Sequence, residues 1–319
     1  MPHMPEFDTI PILDLSPLIR GEDTGNLAKA FAKAYGETGF AYVVNHGVSP
    51  ELRQRIFEAS RQFHALPERA KQAIALDGNH RGYIAINTST DVTSDLAEVK
   101  RPNQSASFMM MREDQTVDPD VFLSGPNQWP DLPGFREISQ DYATAMTDLG
   151  RKMIRLAFQA IGATDQSALS AFDPPTLWLR LLRYPPQPPM SPEDLYGSAP
   201  HKDFGCLTIL AQDDAGGLQV QTPAGQWVDA PPMEDAFVVN VGDMLHRMSN
   251  GRLLSTPHRV INLSGRERYS VPFFFDPHVS YDVAPLPGTG TPKFEPLNFG
   301  AFLRHELQAS YDAHKPDKA

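Results

Sequence analysis

The sequence predicts a mixed α/β (α+β) protein in which helices and a few strands precede a β-sandwich or jelly roll. Two observations support this prediction. From about residue 177 onward, short runs rich in Val, Ile, Leu and Phe are cut by Gly, Pro and Asn, as in sandwiches and barrels. Before that point, three stretches carry apolar residues at helical spacing. The 319 residues are enough for one large domain or two small ones.

The N-terminal region is expected to alternate strands with helices. Residues 10–15 and 39–44 have the composition of strands, and each precedes a stretch of helical periodicity. Ser49–Pro50 supplies a helix N-cap followed by a first-turn proline. The longest helical stripe covers residues 135–160. Residues 80–130 show weak periodicity, and we expect a long irregular segment there.

The second half is expected to supply most of the strands and one last helix. The candidate strands are 177–184, 206–211, 217–221, 237–241, 258–263 and 268–275. Residues 298–311 have the apolar spacing of a C-terminal helix. We expect one structural domain made of an N-terminal region, 1–165, that packs on a β-rich region, 166–319.

Composition and charge narrow the class of protein. A net charge of −11 argues against a nucleic-acid partner, because phosphate binding requires a basic face. The single cysteine, Cys206, excludes an intramolecular disulfide and is typical of a reducing compartment. We find no signal-peptide pattern and no apolar run long enough to span a membrane. We therefore expect a cytoplasmic protein, monomeric or weakly self-associating, with a small-molecule substrate.

A candidate metal site is formed by His201, Asp203 and His258. Side chains two residues apart on an extended strand share a face, so His201 and Asp203 can reach one ion. Two imidazoles and one carboxylate form the facial triad of non-haem Fe(II) oxygenases. An isolated H-x-D is more often an incidental surface turn. Here, however, Arg268 and Ser270 follow on one face of a predicted apolar strand, where an arginine is costly unless it meets an anion.

Seven segments of the second half resemble one enzyme family. They are R-Y-P-P (183–186), P-H-K-D-F-G-C-L-T-I-L (200–210), G-G-L-Q-V (216–220), V-V-N-V-G-D (238–243), S-N-G-R (249–252), S-T-P-H-R-V (255–260) and R-Y-S-V-P-F-F-F (268–275). I-P-I-L-D-L-S (10–16) and G-F-A-Y-V-V-N-H-G-V (39–48) continue the likeness near the N-terminus. In this order the segments resemble the isopenicillin N synthase-like family of Fe(II)/2-oxoglutarate-dependent dioxygenases, over nearly the whole chain.

The resemblance implies a fold, a set of cofactors and a reaction. The fold is a double-stranded β-helix (jelly roll), braced by N-terminal helices and by a C-terminal helix near the mouth of the site. The cofactor is Fe(II), with 2-oxoglutarate and O2 as co-substrates. A small organic molecule is oxidised, most commonly hydroxylated, while 2-oxoglutarate is converted to succinate and CO2. The residues implied to bind the 2-oxoglutarate C5 carboxylate are Arg268, Ser270 and Tyr184.

Alternatives remain at this stage. Some relatives with the same triad and Arg-x-Ser pair do not use 2-oxoglutarate, and a non-catalytic metal-binding sensor is a further possibility. Tyr184 has a structural alternative as a core tyrosine. Leu182 stands where many plant members have an Asn that helps to hold the co-substrate C1 carboxylate, and Arg183 is one candidate to replace it.

The substrate pocket is predicted from two apolar segments, residues 107–111 and residues 299–303 at the start of the predicted C-terminal helix. The residues expected to line it are Phe108, Met110 and Phe302, although such residues more often form ordinary packing. Three arginines flank these segments, Arg101, Arg112 and Arg304. We expect a compact, mainly apolar or aromatic substrate with one carboxylate for a flanking arginine. Peptides and nucleobases in DNA are disfavoured.

Overall fold

The structure, a computed structural model, describes residues 7–89, 96, 101–188, 190–192 and 194–311. The helices formed in these ranges are α1 (Ser16–Arg20), α2 (Gly25–Glu37), α3 (Pro50–Ala65), α4 (Glu68–Gln72), α5 (Phe135–Ala160), α6 (Asp243–Met248) and α7 (Phe299–Ser310). The strands are β1 (Ile12–Asp14), β2 (Phe40–Val44), β3 (Gly82–Ile84), β4 (Ala106–Met111), β5 (Thr176–Tyr184), β6 (Ser198–His201), β7 (Leu207–Gln212), β8 (Leu218–Gln221), β9 (Trp227–Asp229), β10 (Phe237–Val241), β11 (His258–Val260), β12 (Arg268–Asp276), β13 (Asp282–Val283) and β14 (Leu297–Asn298).

Two sheets pack face to face and form the jelly roll. The larger sheet has the order β1-β2-β10-β7-β12-β5-β4-β3, and the smaller one has the order β6-β11-β8-β9. Alternation along β2 shows how the larger sheet is buried on both faces. Phe40 and Tyr42 pack with Val220 of the smaller sheet, whereas Ala41 and Val43 join the core beneath the helices. Helices α2, α3 and α5 therefore brace the outer face of the jelly roll, as predicted.

The larger sheet is built from both halves of the chain. Strands β1 and β2 form one edge and β3 and β4 form the other, while β10, β7, β12 and β5 lie between them. Both halves thus contribute to one hydrogen-bonded sheet. The division into residues 1–165 and 166–319 within a single structural domain stays a prediction.

Most predicted elements are confirmed. Ser49 caps α3 by accepting a hydrogen bond from the Leu52 N–H, and Asn298 caps α7 in the same way. The long stripe forms α5, with its apolar side buried. All six predicted strands form, although 258–263 ends early at Val260. Within the described ranges, none of the helices combines the length and apolarity needed to cross a membrane.

The prediction of a long irregular segment over residues 80–130 is wrong where β3 and β4 form, whereas the other described residues of this range form neither a helix nor a strand. Strands β3 and β4 lie in this segment and extend the larger sheet beyond β5. All six residues of β4 are buried, so its sequence A-S-F-M-M-M shows no alternation of apolar and polar residues. Strands β6 and β9 were also not predicted, because they are short and β6 contains Pro200.

Candidate metal centre and its two cavities

The two histidines of the candidate metal centre face each other across neighbouring strands. His201 is the last residue of β6 and His258 the first residue of β11, and the two are paired in the antiparallel register. Their ring centroids are 4.3 Å apart. The expectation that Asp203 shares a strand with His201 is wrong, because β6 ends at His201 and Asp203 lies in the connection to β7. The chain turns there and still brings the carboxylate next to both rings.

The tautomers of the two histidines leave one nitrogen of each ring available for a metal. The Nδ1 atom of His201 lies 2.7 Å from the Ala199 carbonyl oxygen, and Nδ1 of His258 lies 3.3 Å from the Thr256 carbonyl oxygen. A carbonyl only accepts, so both Nδ1 atoms carry the proton and donate it. The two Nε2 atoms lie 3.7 and 3.8 Å from Oδ1 of Asp203. These separations are too long for hydrogen bonds but fit three ligands of one ion.

Asp203 is fixed by hydrogen bonds from two strands of the larger sheet. Its Oδ2 atom accepts a hydrogen bond of 2.6 Å from Asn240 Nδ2 in β10 and another from the Thr208 hydroxyl in β7. Burial by itself raises the pKa of Asp203, but the two histidines and these hydrogen bonds outweigh it and lower the pKa below its usual range. The carboxylate therefore stays ionised, with Oδ1 turned towards the histidines.

Asn240 is expected to support metal binding without touching the ion. Because removing a hydrogen-bond partner of a ligand typically costs about 10–100-fold in metal affinity or activity, Asn240→Ala should weaken Mn(II) binding by that amount. Titration of the metal-free protein with Mn(II) measures the effect. Asn127→Ala is the matched control, since Asn127 is also buried and forms two hydrogen bonds, both to the Met111 backbone. Equal metal affinity in the two variants would contradict a positioning role for Asn240.

Arg268 and Ser270 form a buried candidate anion site beside the candidate metal centre. Both lie on β12 and are almost fully buried, with 0% and 1% exposure. Arg268 donates from Nε to the Gly216 carbonyl oxygen at 2.7 Å and from Nη2 to Oε1 of Gln212 at 3.4 Å. Its guanidinium also lies over the ring of Tyr184, 4.7 Å from the centroid. Tyr184 is the antiparallel partner of Arg268, which explains this stacking.

Two polar atoms of this site lack a partner among the described residues, Nη1 of Arg268 and Oγ of Ser270. Leaving a buried donor unpaired typically costs about 1–3 kcal/mol, and more for a charged group. An anion that accepts from both atoms removes this cost, and a carboxylate matches the fork of a guanidinium. The site therefore fits the C5 carboxylate of 2-oxoglutarate.

Two adjoining cavities meet at the metal centre. The inner cavity lies between the sheets and is lined by residues that include Tyr184, Arg268, Ser270, Asn240 and all three triad residues. The outer cavity lies towards α7 and is lined by residues that include Met109, Trp178, Phe204, Phe274, Leu307 and Tyr311. The residues that line both cavities include Arg180, Leu182, His201 and Asp203. An ion held by the triad would thus face a polar compartment on one side and an aromatic one on the other.

The prediction that Phe108 and Met110 line the substrate pocket is wrong. Along β4, Met109 points to the outer cavity, so its neighbours Phe108 and Met110 point to the opposite face of the sheet. Phe108 there joins an aromatic cluster with Phe63 and Phe135, at centroid distances of 5.3 and 4.9 Å. The expected packing alternative is the correct one for both residues.

Phe302 is also not a lining residue of the outer cavity. It packs edge-on against Phe204, with centroids 6.1 Å apart, and Phe204 is the residue that lines the cavity. The C-terminal helix does lie near the mouth, because Leu307 and Tyr311 line it. Phe302 therefore supports the wall from behind.

The arginines predicted to bind the C1 carboxylate or the substrate carboxylate are all engaged elsewhere. Arg183, the candidate for the C1 carboxylate, follows Tyr184's neighbour Leu182 on β5 and projects from the face of the sheet opposite to Tyr184, where it pairs with Glu267. The three flanking arginines have partners outside the outer cavity: Arg101 pairs with Asp194, Arg112 with Asp114, and Arg304 lies over the Phe122 ring. The arginine that reaches the outer cavity is Arg180.

Sequence reasoning missed Arg180, Trp178, Thr208 and Asn240 as site residues. Arg180 and Trp178 could have been found from the alternation of side chains along β5, because they share a face of the strand with Leu182 and Tyr184. Asn240 and Thr208 carried no local signal, since their role depends on the pairing of β10 with β7, where they are register partners.

Comparisons with known proteins agree with this geometry. The profile of the 2OG-Fe(II) oxygenase superfamily matches residues 175–277, and that of the non-haem dioxygenase in morphine synthesis N-terminal region matches residues 10–132. The 2-oxoglutarate-Fe(II) type oxidoreductase hxnY of Emericella nidulans is 35% identical, over 97% of this chain and 93% of the relative. The chain therefore belongs to the 2OG-Fe(II) oxygenase superfamily.

Solved structures show the same similarity. A full-length Neurospora crassa protein, solved in complex with alpha-KG, has a TM-score of 0.83 at 30% identity, covering 96% of this chain and 99% of the Neurospora chain. JOX2 in complex with 2OG, Fe and JA has a TM-score of 0.78 at 29% identity, covering 95% and 86% of the two chains. The jelly-roll fold, the enzyme class and the cofactors predicted from the sequence are thereby confirmed: this is an oxygenase that depends on Fe(II) and 2-oxoglutarate.

Proposed function

We propose that this oxygenase binds its iron through Nε2 of His201, Nε2 of His258 and Oδ1 of Asp203. The observation that carries the proposal is the convergence of these three atoms, which lie within 4.8 Å of one another at the boundary between the two cavities. Each ligand is held by a further partner, the histidines by backbone carbonyls and Asp203 by Asn240 and Thr208. Such support is typical of built metal sites.

We further propose that 2-oxoglutarate occupies the inner cavity with its C5 carboxylate at Arg268, Ser270 and Tyr184. The two unpartnered donors support this assignment, and the Tyr184 ring holds the guanidinium in place. When bound, the iron supplies the oxidising chemistry together with O2 and 2-oxoglutarate, which leaves as succinate and CO2. The residues of the chain bind and orient the co-substrate, and the buried inner cavity keeps water away from it.

The primary substrate is proposed to be a compact, mainly apolar or aromatic molecule that is hydroxylated in the outer cavity. Trp178, Phe204 and Phe274 give this cavity flat, apolar walls next to the metal centre. One structure of the related Neurospora crassa protein contains alpha-KG and thymine, and another contains alpha-KG and 5-formyluracil; both thymine and 5-formyluracil are small and planar. The monomeric or weakly self-associating state, the cytoplasmic location and the lack of a nucleic-acid partner stay predictions.

Succinate formation tests the proposal against its rivals. With Fe(II), the protein should form succinate from 2-oxoglutarate, and a substrate from a panel of small aromatic and apolar metabolites should stimulate both succinate formation and O2 uptake in equal amounts. O2 uptake that proceeds without 2-oxoglutarate would instead indicate an oxidase of the same fold. Metal binding without any O2 uptake across the panel would favour the non-catalytic sensor.

A further inference from the structure

The outer cavity contains an arginine, Arg180, that has no counter-ion among the described residues. Arg180 projects from β5 between Trp178 and Leu182 and lines the cavity beside the metal centre. Its Nη2 donates to the Ser107 hydroxyl at 3.1 Å, and its Nη1 lies 3.4 Å from the Tyr311 hydroxyl. Its Nε has no partner among the residues that the structure describes, and none of their carboxylates forms an ion pair with it. A guanidinium in such a cavity is unfavourable unless an anion meets it.

The other charged groups that line the outer cavity do not neutralise Arg180. Among the described residues, the carboxylates are Asp203, which belongs to the metal centre, and Asp276. Asp276 already accepts hydrogen bonds from the Cys206 N–H at 2.6 Å and from the Trp178 ring N–H at 3.2 Å. Lys202 adds a second positive charge. With a divalent ion at the triad, the cavity as a whole favours a negatively charged ligand.

Two carboxylates could meet Arg180, one on the primary substrate and one at C1 of 2-oxoglutarate. Arg180 lines both cavities, but its register partner Met109 and its same-face neighbour Trp178 line only the outer one. In addition, Tyr311, which contacts the Arg180 guanidinium, lines only the outer cavity. These observations favour the substrate.

We propose that Arg180 determines substrate specificity by pairing with a carboxylate of the primary substrate, whose aromatic or apolar part lies among Trp178, Phe204 and Phe274. The substrate class is thus a small aromatic or apolar monocarboxylic acid. This inference rests on the proposed function, because it places the substrate in the outer cavity next to the bound iron. It replaces the expectation that one of the flanking arginines binds the substrate carboxylate.

Matched pairs of acids and amides test the inference by binding alone. The Mn(II)- and 2-oxoglutarate-loaded protein is titrated calorimetrically with benzoate, phenylacetate and indole-3-acetate, and with the amide of each. At least one acid should bind the wild type about tenfold or more tighter than its amide, because a charged hydrogen bond is worth about 1.5–3 kcal/mol. In Arg180→Gln this preference should fall to about twofold or less, with 2-oxoglutarate affinity kept within about threefold. Arg180→Lys, which keeps the charge but not the fork, should retain part of the preference.

Arg183→Gln is the matched control, because Arg183 lies on the same strand but faces the opposite side and pairs with Glu267; it should leave the acid preference unchanged. Equal binding of acids and amides by the wild type overturns the inference and leaves the proposed function intact. The inference is also overturned if Arg180→Gln loses 2-oxoglutarate affinity but keeps the preference for acids over amides. It is likewise overturned if that preference disappears in Lys202→Gln but not in Arg180→Gln. Failure of the wild type to bind Mn(II) and 2-oxoglutarate together overturns the proposed function itself.

Discussion

Replacing His258 with alanine is expected to abolish turnover while the protein stays folded. The variant keeps only His201 and Asp203 as ligands, and Asp203 loses one of its two histidine neighbours. Loss of a group that merely supports a ligand typically costs about 10–100-fold in affinity or activity, so loss of the ligand itself should exceed about 100-fold. The fold should survive, because β11 pairs with β6 and β8 through its backbone. Succinate formation, bound iron per chain and thermal unfolding together measure these effects.

His246→Ala is the matched control for this experiment. His246 lies on α6, where its Nδ1 contacts the Leu253 carbonyl oxygen and its ring packs against Phe294. Among the described residues, the group of possible metal ligands contains His201, Asp203 and His258 but not His246. The control should therefore bind iron in the same amount as the wild type. Full activity with stoichiometric iron in His258→Ala would show that the metal is bound elsewhere.

The fold was predictable wherever one face of an element is buried and the other is exposed. Helix α5 is the clearest case, because its buried stripe recurs at helical spacing from Phe135 to Phe158. Strand β4 is the opposite case, since both of its faces are buried and its three consecutive methionines carry no period. The position of β4 in the sheet depends on its pairing with β5, which is a tertiary property that no local pattern records.

The candidate metal ligands were predictable because their chemistry is restricted, even though one assumption about their geometry was wrong. His201 and Asp203 do not share a strand, yet the short connection between them still limits how far apart they can lie. Hydrogen bonds from Thr208 and Asn240 then fix the carboxylate. The residue types of the candidate ligands thus predict the metal site better than the assumed strand geometry does.

The substrate residues were much less predictable, because apolar side chains serve equally well in a core and in a cavity. Met109 and Met110 are adjacent, identical and both buried, and only the side of β4 on which each lies decides that Met109 also lines the outer cavity. That choice is set by the register with β5, in which Met109 is opposite Arg180. A one-residue difference in register would exchange the two roles.

Replacing Arg268 with alanine is expected to weaken 2-oxoglutarate binding far more than iron binding. The guanidinium is fully buried and, in the proposed complex, donates a charged hydrogen bond in a site that excludes water. Such a bond is worth about 1.5–3 kcal/mol, and about 1.4 kcal/mol corresponds to a factor of ten, so the dissociation constant should rise at least about tenfold. Calorimetric titration of the Mn(II)-loaded protein with 2-oxoglutarate measures this dissociation constant, and the affinity for Mn(II), titrated in parallel, should change little.

Arg266→Ala is the matched control, because Arg266 is an exposed arginine two residues earlier that pairs with Asp214. If Arg268→Ala and Arg266→Ala bind 2-oxoglutarate equally well, the C5 carboxylate does not lie at Arg268, and the unpartnered Nη1 and Ser270 hydroxyl require another ligand.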